Sequence, residues 1–437
     1  MPATHHLEVV AVDEKGAALN VSTVTLTSGL AVSRSVAVSG AVRIALSGVN
    51  PGRGEVCFSF VDRPDFILPL TFVKGTEGPV PTFPQEAPLC CPTIQRTQET
   101  ALGAAKTVFT LTLTLASAHS EVVLVAGWDY SGGANNVAYC NTCREDLYSG
   151  STHRTGMKTT IPKRIDTPTV VTLFDFKSGE RSRSVKSASG WFDLDRVLQG
   201  TVKPHVAKYS ETVNQKRRHD DDSISILHVY DYLAELGLKA PGALREFHLF
   251  SHAWAGGPIL ANTTEDIGYR SGGTSAALRD PGDKDPRLKD FDPVNMPRLA
   301  DLKAAFATDS VVKVWGCLAT TAYRNLIRAT ASAKSDTDTV TYDWSGTKVT
   351  KTAAESKTYL RDVILKYNYM EKLSAAIGGR AKVYGAPPGM GANLRAVPVG
   401  KKTFNYMYVD GTIYKREYDF LKSAMGLVPD DTGYLFF

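Results

Sequence analysis

Glu246-Phe247-His248-Leu249-Phe250-Ser251-His252 and Val311-Val312-Lys313-Val314-Trp315-Gly316-Cys317 decide how this chain is read. Each is a short, mostly apolar run of the kind found in strands buried on both faces of a parallel sheet. Each runs straight into a reactive side chain. In a parallel sheet both endings fall on the same rim, and neighbouring strands lie ~4.8 Å apart. Residues just past the ends of adjacent strands then face one another, on the rim where open α/β sheets bind ligands.

A thiol beside an imidazole is the smallest nucleophile–base pair. The base raises the thiolate fraction, the thiolate attacks a carbonyl, and the imidazolium protonates the leaving amine. His252 is the expected base and Cys317 the expected nucleophile. Gly316 allows a tight turn before the thiol, and main-chain N–H groups near Ala253-Trp254 and at Gly316-Cys317 are the candidate oxyanion donors.

Working outward, strands alternate with helices, the pattern of a parallel sheet covered on both faces. Glu121–Gly127 and 169–175 supply two further strands, and Ala381–Tyr384 a fifth. Ser223 is expected to cap a helix with apolar positions Ile224, Leu227, Tyr230 and Leu233 or Leu236, closed by Gly237 and Pro241. Further helices are expected near 299–307, 319–331 and 357–377, and a hairpin, 403–408 with 412–416, turns at Asp410-Gly411. A Gly-, Asp- and Pro-rich insertion spans 262–298, and residues 180–222 read as irregular.

Before residue 80 the rhythm differs. Short Val- and Thr-rich segments at 7–12, 24–27, 36–38, 42–46 and 55–60, separated by turns such as Asn50-Pro51-Gly52, imply a small all-β sandwich. The proline-rich stretch 81–107 reads as a linker, leaving 108–437 as an α/β domain with the insertion at 262–298.

An apolar strand ending in His and a later one ending in Gly-Cys resemble the caspase-like cysteine peptidases over roughly residues 108–400. The resemblance implies a mostly parallel sheet flanked by helices, with His252 as general base and Cys317 as nucleophile. The family carries Gly after the His, whereas this chain has Ala253, which still offers the N–H. In that clan the region after the first strand helps build the substrate pocket. Asp129 and Asp175, at the ends of the first two strands, are therefore candidate substrate-binding residues favouring Lys or Arg; their simpler reading is as turn residues. The N-terminal pattern VVAVDEKGAAL…VTLTSG…GEVCFSF resembles prealbumin-like modules of carboxypeptidase-regulatory type, which implies binding or delivery. A nucleophile elbow of the α/β-hydrolase kind is ruled out, because Ala253 and not Ser follows His252. An L,D-transpeptidase is disfavoured because its fold is β-rich.

Composition narrows the classes. The 437 residues are 43% hydrophobic and 22% charged, with a net charge of +5. That is an ordinary core-forming chain. The one basic knot, Lys216-Arg217-Arg218, is answered by Asp220-Asp221-Asp222, so nucleic acid is not an expected partner. No apolar run approaches the ~20 residues of a membrane helix. Residues 1–6 lack the features of a leader, so the expectation is a cytoplasmic product, with any export by a leaderless route. Of six cysteines, Cys140 and Cys143 form a CxxC, but Cys90-Cys91 lack the spacer of a second zinc-ligand pair. No metal or cofactor is expected. Asp290, Asp292 and Asn295 in the insertion are candidates for a substrate or cation, with solvation the simpler reading.

The expected function is therefore a cysteine endopeptidase acting on a protein or peptide. A protease with a docking module suits a bacterial toxin or effector, and a cognate inhibitor or immunity protein is expected in that setting. The alternatives are another cysteine-dependent amidase, acting on cell-wall peptides, and a non-catalytic binding protein on the same sheet.

Overall fold

The computed structural model describes residues 4–437 apart from 14–15, 29–31, 38–40, 48, 62–64, 77, 83–92, 102–103, 116–119, 129–135, 150–168, 187–189, 201–222, 255, 271–275, 319 and 410–413. Its centre is an eight-stranded mixed sheet. Glu121–Ala126, Val170–Asp175, Leu244–Phe250, Phe306–Val314 and Ala381–Gly385 form the parallel part, with Glu121–Ala126 between Val170–Asp175 and Leu244–Phe250. Antiparallel strands extend both edges. Glu180–Lys186 and Trp191–Leu198 continue one side, and Leu435–Phe436 closes the other.

Alternation along each strand divides two cores. Val123, Val125, Phe247, Leu249, Val312 and Val314 face Ile226, Val229 and Leu233 of the helix Ile226–Lys239, together with Leu302 and Tyr369. On the opposite face, Val122, Leu124 and Ala126 meet Cys140 and Leu147 of the helix Asn136–Ser149, with Leu326, Ile327 and Leu421. Helices on both faces explain why these strands read as continuous apolar runs.

The helix 226–239 starts two residues later than the Ser223 cap implied. Ser225 is the N-cap, its Oγ accepting from Leu227 N at 3.2 Å, while Ser225 N donates to His228 Nδ1 at 3.0 Å. Gly237 does not close this helix. It lies inside it, where a Cβ would sit 1.8 Å from the Asp301 carbonyl oxygen and 2.6 Å from Ala305 N. Its missing side chain lets the helix Leu299–Ala305 cross in contact.

Residues 81–107 are not simply a linker. Thr93–Ala101 and Ala104–Leu115 are strands, and the second pairs parallel with Thr4–Asp13 and antiparallel with the first. The α/β part therefore begins after residue 115, not at 108. This four-stranded sheet and a five-stranded one share a core that includes Leu7, Val9, Leu26, Phe58, Leu68 and Leu111. The same core runs on to Val170, Val185 and Leu194 of the central sheet, and Arg183 Nη1 donates to the Asp65 carbonyl at 2.7 Å. The N-terminal part is thus joined to the central sheet through apolar packing.

Other segments also differ from the sequence reading. Glu180–Lys186 and Trp191–Leu198 pair antiparallel, as do Thr339–Trp344 and Thr347–Thr352. In the tail, Lys402–Tyr408 pairs with Asn393–Val399 and Lys415–Met425 is a helix, so 403–408 has a partner other than the expected 412–416, while the expected turn Asp410-Gly411 lies outside the described residues. Among the described residues no helix is long and apolar enough to cross a membrane.

Gly237→Ala weighs two opposing effects. Alanine gains about 1 kcal/mol of helix propensity over glycine, whereas a Cβ overlapping backbone costs about 1–3 kcal/mol or more. Because the clash is with main-chain atoms, the variant is expected to be destabilised, measured as a lower urea midpoint than wild type.

Candidate active site

Leu244–Phe250 and Phe306–Val314 are parallel neighbours, with Leu249 opposite Val314. The ladder extends one step further through Trp315 N donating to Leu249 O at 2.8 Å. His252 and Cys317 each stand three residues beyond that last pair. The register thus brings residues 252 and 317 to the same rim of the sheet. Both residues are partly exposed.

Past the rim the two segments touch. A Cβ on Gly316 would lie 2.2 Å from Ala253 Cβ, 2.8 Å from Ala253 N and 2.9 Å from Ser251 O. Only glycine allows this approach, which is a packing reason for Gly316 beyond turn formation. Cys317 Sγ lies 3.9 Å from the Ala253 carbonyl oxygen.

His252–Trp254 forms a miniature hairpin with Gly257–Ile259, and Ala253 stands opposite Pro258. Proline has no N–H to donate, so the Ala253 carbonyl faces Cys317 instead. In an antiparallel pair the N–H and C=O of one residue point to the same side. The Ala253 N–H therefore shares the side that faces the Gly316-Cys317 turn, as an oxyanion donor requires.

Below the rim, a polar row stiffens the cysteine strand. Trp315 Nε1 donates to His248 Nδ1 at 3.0 Å, which puts the proton of a neutral His248 ring on Nε2, 2.6 Å from Glu246 Oε2. Lys313 Nζ bonds Asp430 and Thr432 of the tail and lies 3.9 Å over the Trp315 ring. Tyr434 Oη donates to the Trp315 carbonyl at 3.0 Å. On the other side of the thiol, Leu318 N donates to Met390 O and Gly389 N to Leu318 O. Cys317 is therefore held from both flanks by residues more than 70 positions downstream.

The described residues of the insertion 262–298 do not form a solvated loop. Asp283, Asp285 and Asp290 are each about 1–2% exposed or less. Arg287 Nε pairs with Asp283 at 2.5 Å, Arg279 bonds Asp290, and Arg279 Nη2 donates to the Asp283 and Asp285 carbonyls at 3.0 Å. Asp290 also accepts from Arg287 N at 2.8 Å and from Tyr230 Oη at 3.4 Å. Burial pushes the pKa of Asp285 and of Asp290 upward despite these partners. Asn295 accepts from Arg279 N and donates to the carbonyls of Ala277 and Lys289, so it pins the loop. Asp292 is partly exposed and turns the chain through its carbonyl, which accepts from Asn295 N. The wall of the insertion and the hairpin tip enclose a cavity of about 470 Å³, lined among others by Trp254, Glu265, Tyr269, Arg270, Arg287 and Lys289. Trp254, two residues from His252, is 49% exposed.

The other candidates fall elsewhere. Asp175 ends a strand separated from the histidine strand by Glu121–Ala126, and its Oδ1 accepts from Lys177 N at 2.8 Å, the role of a turn residue. Asp129 lies outside the described residues, as do Cys90-Cys91 and the 216–222 charge run. Cys140 and Cys143 sit in the helix Asn136–Ser149 as buried thiols, and desolvation holds the Cys140 thiol well above its ordinary pKa. Among the described residues no group of three or more His, Cys, Asp or Glu could hold a metal ion. Sequence reasoning passed over Asp285, Asp430 and Tyr434, and read Trp254 only for its main-chain N–H. Charged and turn-rich segments carry no local mark of burial, so nothing nearby in the chain announced Asp285, Asp430 or Tyr434.

Burial alone would raise the Asp430 pKa, but the Lys313 ammonium and the Thr432 bonds override it and hold the carboxyl below its usual 3.8. Its contribution to stability is full above 3.8 and lost as pH falls through the depressed folded value. Asp430→Asn, which leaves the buried Lys313 without its carboxylate, is expected to cost about 3–5 kcal/mol at pH 7. In acid unfolding curves the gap between wild type and variant should close only below pH 3.8.

Comparison with protein-family models, curated proteins and solved structures yields no match.

Proposed function

We propose that the chain is a cysteine endopeptidase of caspase-like arrangement, with Cys317 as nucleophile, His252 as general base and Ala253 N–H as oxyanion donor. The observation that carries this reading is the parallel register of Leu249 with Val314, with both reactive residues three positions beyond it. The helix-covered parallel sheet supports the fold expectation, and the shared core of the two N-terminal sheets supports a β-sandwich module. That module's packing against the central sheet favours a fixed docking surface over a tethered one.

In the reaction, His252 draws the thiol proton and the Cys317 thiolate adds to the scissile carbonyl carbon. The oxyanion is met by main-chain N–H groups at Ala253 and the Gly316-Cys317 turn. The His252 imidazolium then gives its proton to the leaving amine, producing a thioester. Water adds with its proton passing to His252, and the thiolate leaves. The cavity beside Trp254 is suited to a substrate side chain, being concave and part aromatic with a few charged groups. The natural partner is then a protein or peptide substrate, and a toxin or effector setting would add a cognate inhibitor.

The test is cleavage of a diverse peptide library, read by mass spectrometry. Cys317→Ala is expected to abolish cleavage and His252→Ala to slow it by about 10²–10⁴-fold. Unchanged cleavage by Cys317→Ala would refute the reading, and cleavage of cell-wall peptides alone would redirect it to an amidase. Trp254→Ala is expected to raise KM more than it lowers kcat, as loss of a binding contact does. Steady-state kinetics on the best library peptide measures this.

A further inference from the structure

Asp285 grips the chain directly behind the hairpin that carries His252. Its Oδ1 accepts the backbone N–H groups of Leu260 at 2.6 Å, Ala261 at 2.6 Å and Asn262 at 3.3 Å, and its Oδ2 that of Thr263 at 2.7 Å. This fan begins one residue past Gly257–Ile259, the strand that sets Ile259 opposite His252 and Pro258 opposite Ala253. The carboxylate is itself held. Its own N–H donates to Asp283 Oδ1 at 3.1 Å, its carbonyl accepts from Arg279, and Arg287 Nη2 lies 4.0 Å from Oδ2.

Three of the four N–H groups, those of Leu260, Ala261 and Thr263, would otherwise be buried donors left without a partner, which is costly. Water or a sheet neighbour could satisfy them singly. One buried carboxylate does so jointly, which fixes four successive backbone units against a common point. We infer that Asp285 is a positioning residue that sets the His252 imidazole and the Ala253 N–H against Cys317, an inference that rests on the proposed Cys317–His252 pair. Displacing reacting groups by ~1 Å can cost about 10²-fold in rate, so a brace at this spot has consequences out of proportion to its distance from the thiol.

The experiment is the pH profile of Cys317 alkylation by iodoacetamide, with the site mapped by mass spectrometry in wild type, His252→Ala, Asp285→Asn and Asp290→Asn. Asp290 belongs to the same buried network through Arg279 but bonds no part of the hairpin. An imidazole beside the thiol keeps the acid limb below that of a free cysteine, near pH ~8.5. His252→Ala should move the limb up to that value, Asp285→Asn should move it in the same direction, and Asp290→Asn should leave it in place. A wild-type profile for Asp285→Asn, or equal shifts for Asp285→Asn and Asp290→Asn, overturns the positioning role while leaving the pair intact. A profile unmoved by His252→Ala removes the pair itself and the inference with it. Should Asp285→Asn not fold, Asp285→Glu carries the same test. It keeps the charge facing Arg287 and shifts the oxygens off the four N–H groups by one methylene.

Discussion

The contact between Gly316 and the Ser251–Ala253 backbone is the constraint on which the site depends. Two parallel strands in register would bring their ends level but leave a strand spacing of ~4.8 Å between them. The absence of a side chain at Gly316 lets the turn before Cys317 close against Ala253, with ideal Cβ positions separated by only 2.2 Å. The thiol then lies beside the Ala253 main chain, and Pro258 leaves that main chain free of a ladder partner on its carbonyl. A glycine and a proline on different segments thus solve one geometric problem together.

Around this contact the protein places buried charge on both sides. Beneath the cysteine strand, Lys313 and Asp430 are joined under the Trp315 and Tyr434 rings. Behind the histidine hairpin, Asp283, Asp285 and Asp290 are matched by Arg279 and Arg287. Burying ions costs several kcal/mol each, and apolar residues would often stabilise as well. What such networks add is directional restraint, since a carboxylate with four or five bonds has one position. Their location at the ends of the two reactive strands fits that use.

The strands that carry His252 and Cys317 were legible because a strand covered by helices on both faces must be apolar at almost every position. The same logic found 121–126 and 170–175. It failed for Thr93–Ala101, a polar sheet-edge strand, for Trp191–Leu198, an edge strand whose apolar residues are interrupted by Asp193, Asp195 and Arg196, and for Gly237, where a residue that commonly ends helices instead admits a crossing helix. The insertion misled for a related reason. Its alternation of Asp, Lys, Pro and Arg is what a solvated loop shows, and pairing between Arg279 and Asp290 or Arg287 and Asp283 is invisible until the loop folds back.

By itself, the sequence determined the parallel-sheet class, the order of the main strands and the two residues that end the central pair, because local hydrophobic periodicity is enough to specify these. Tertiary structure alone decided the register of Leu249 with Val314, the closeness of Gly316 to Ala253 and the partners of Asp285 and Asp430. It also decided that Asp175 serves its own turn and that Thr93–Ala101 and Ala104–Leu115 belong to the four-stranded sheet. Each of these depends on groups far apart along the chain meeting in space, and no local pattern encodes such a meeting.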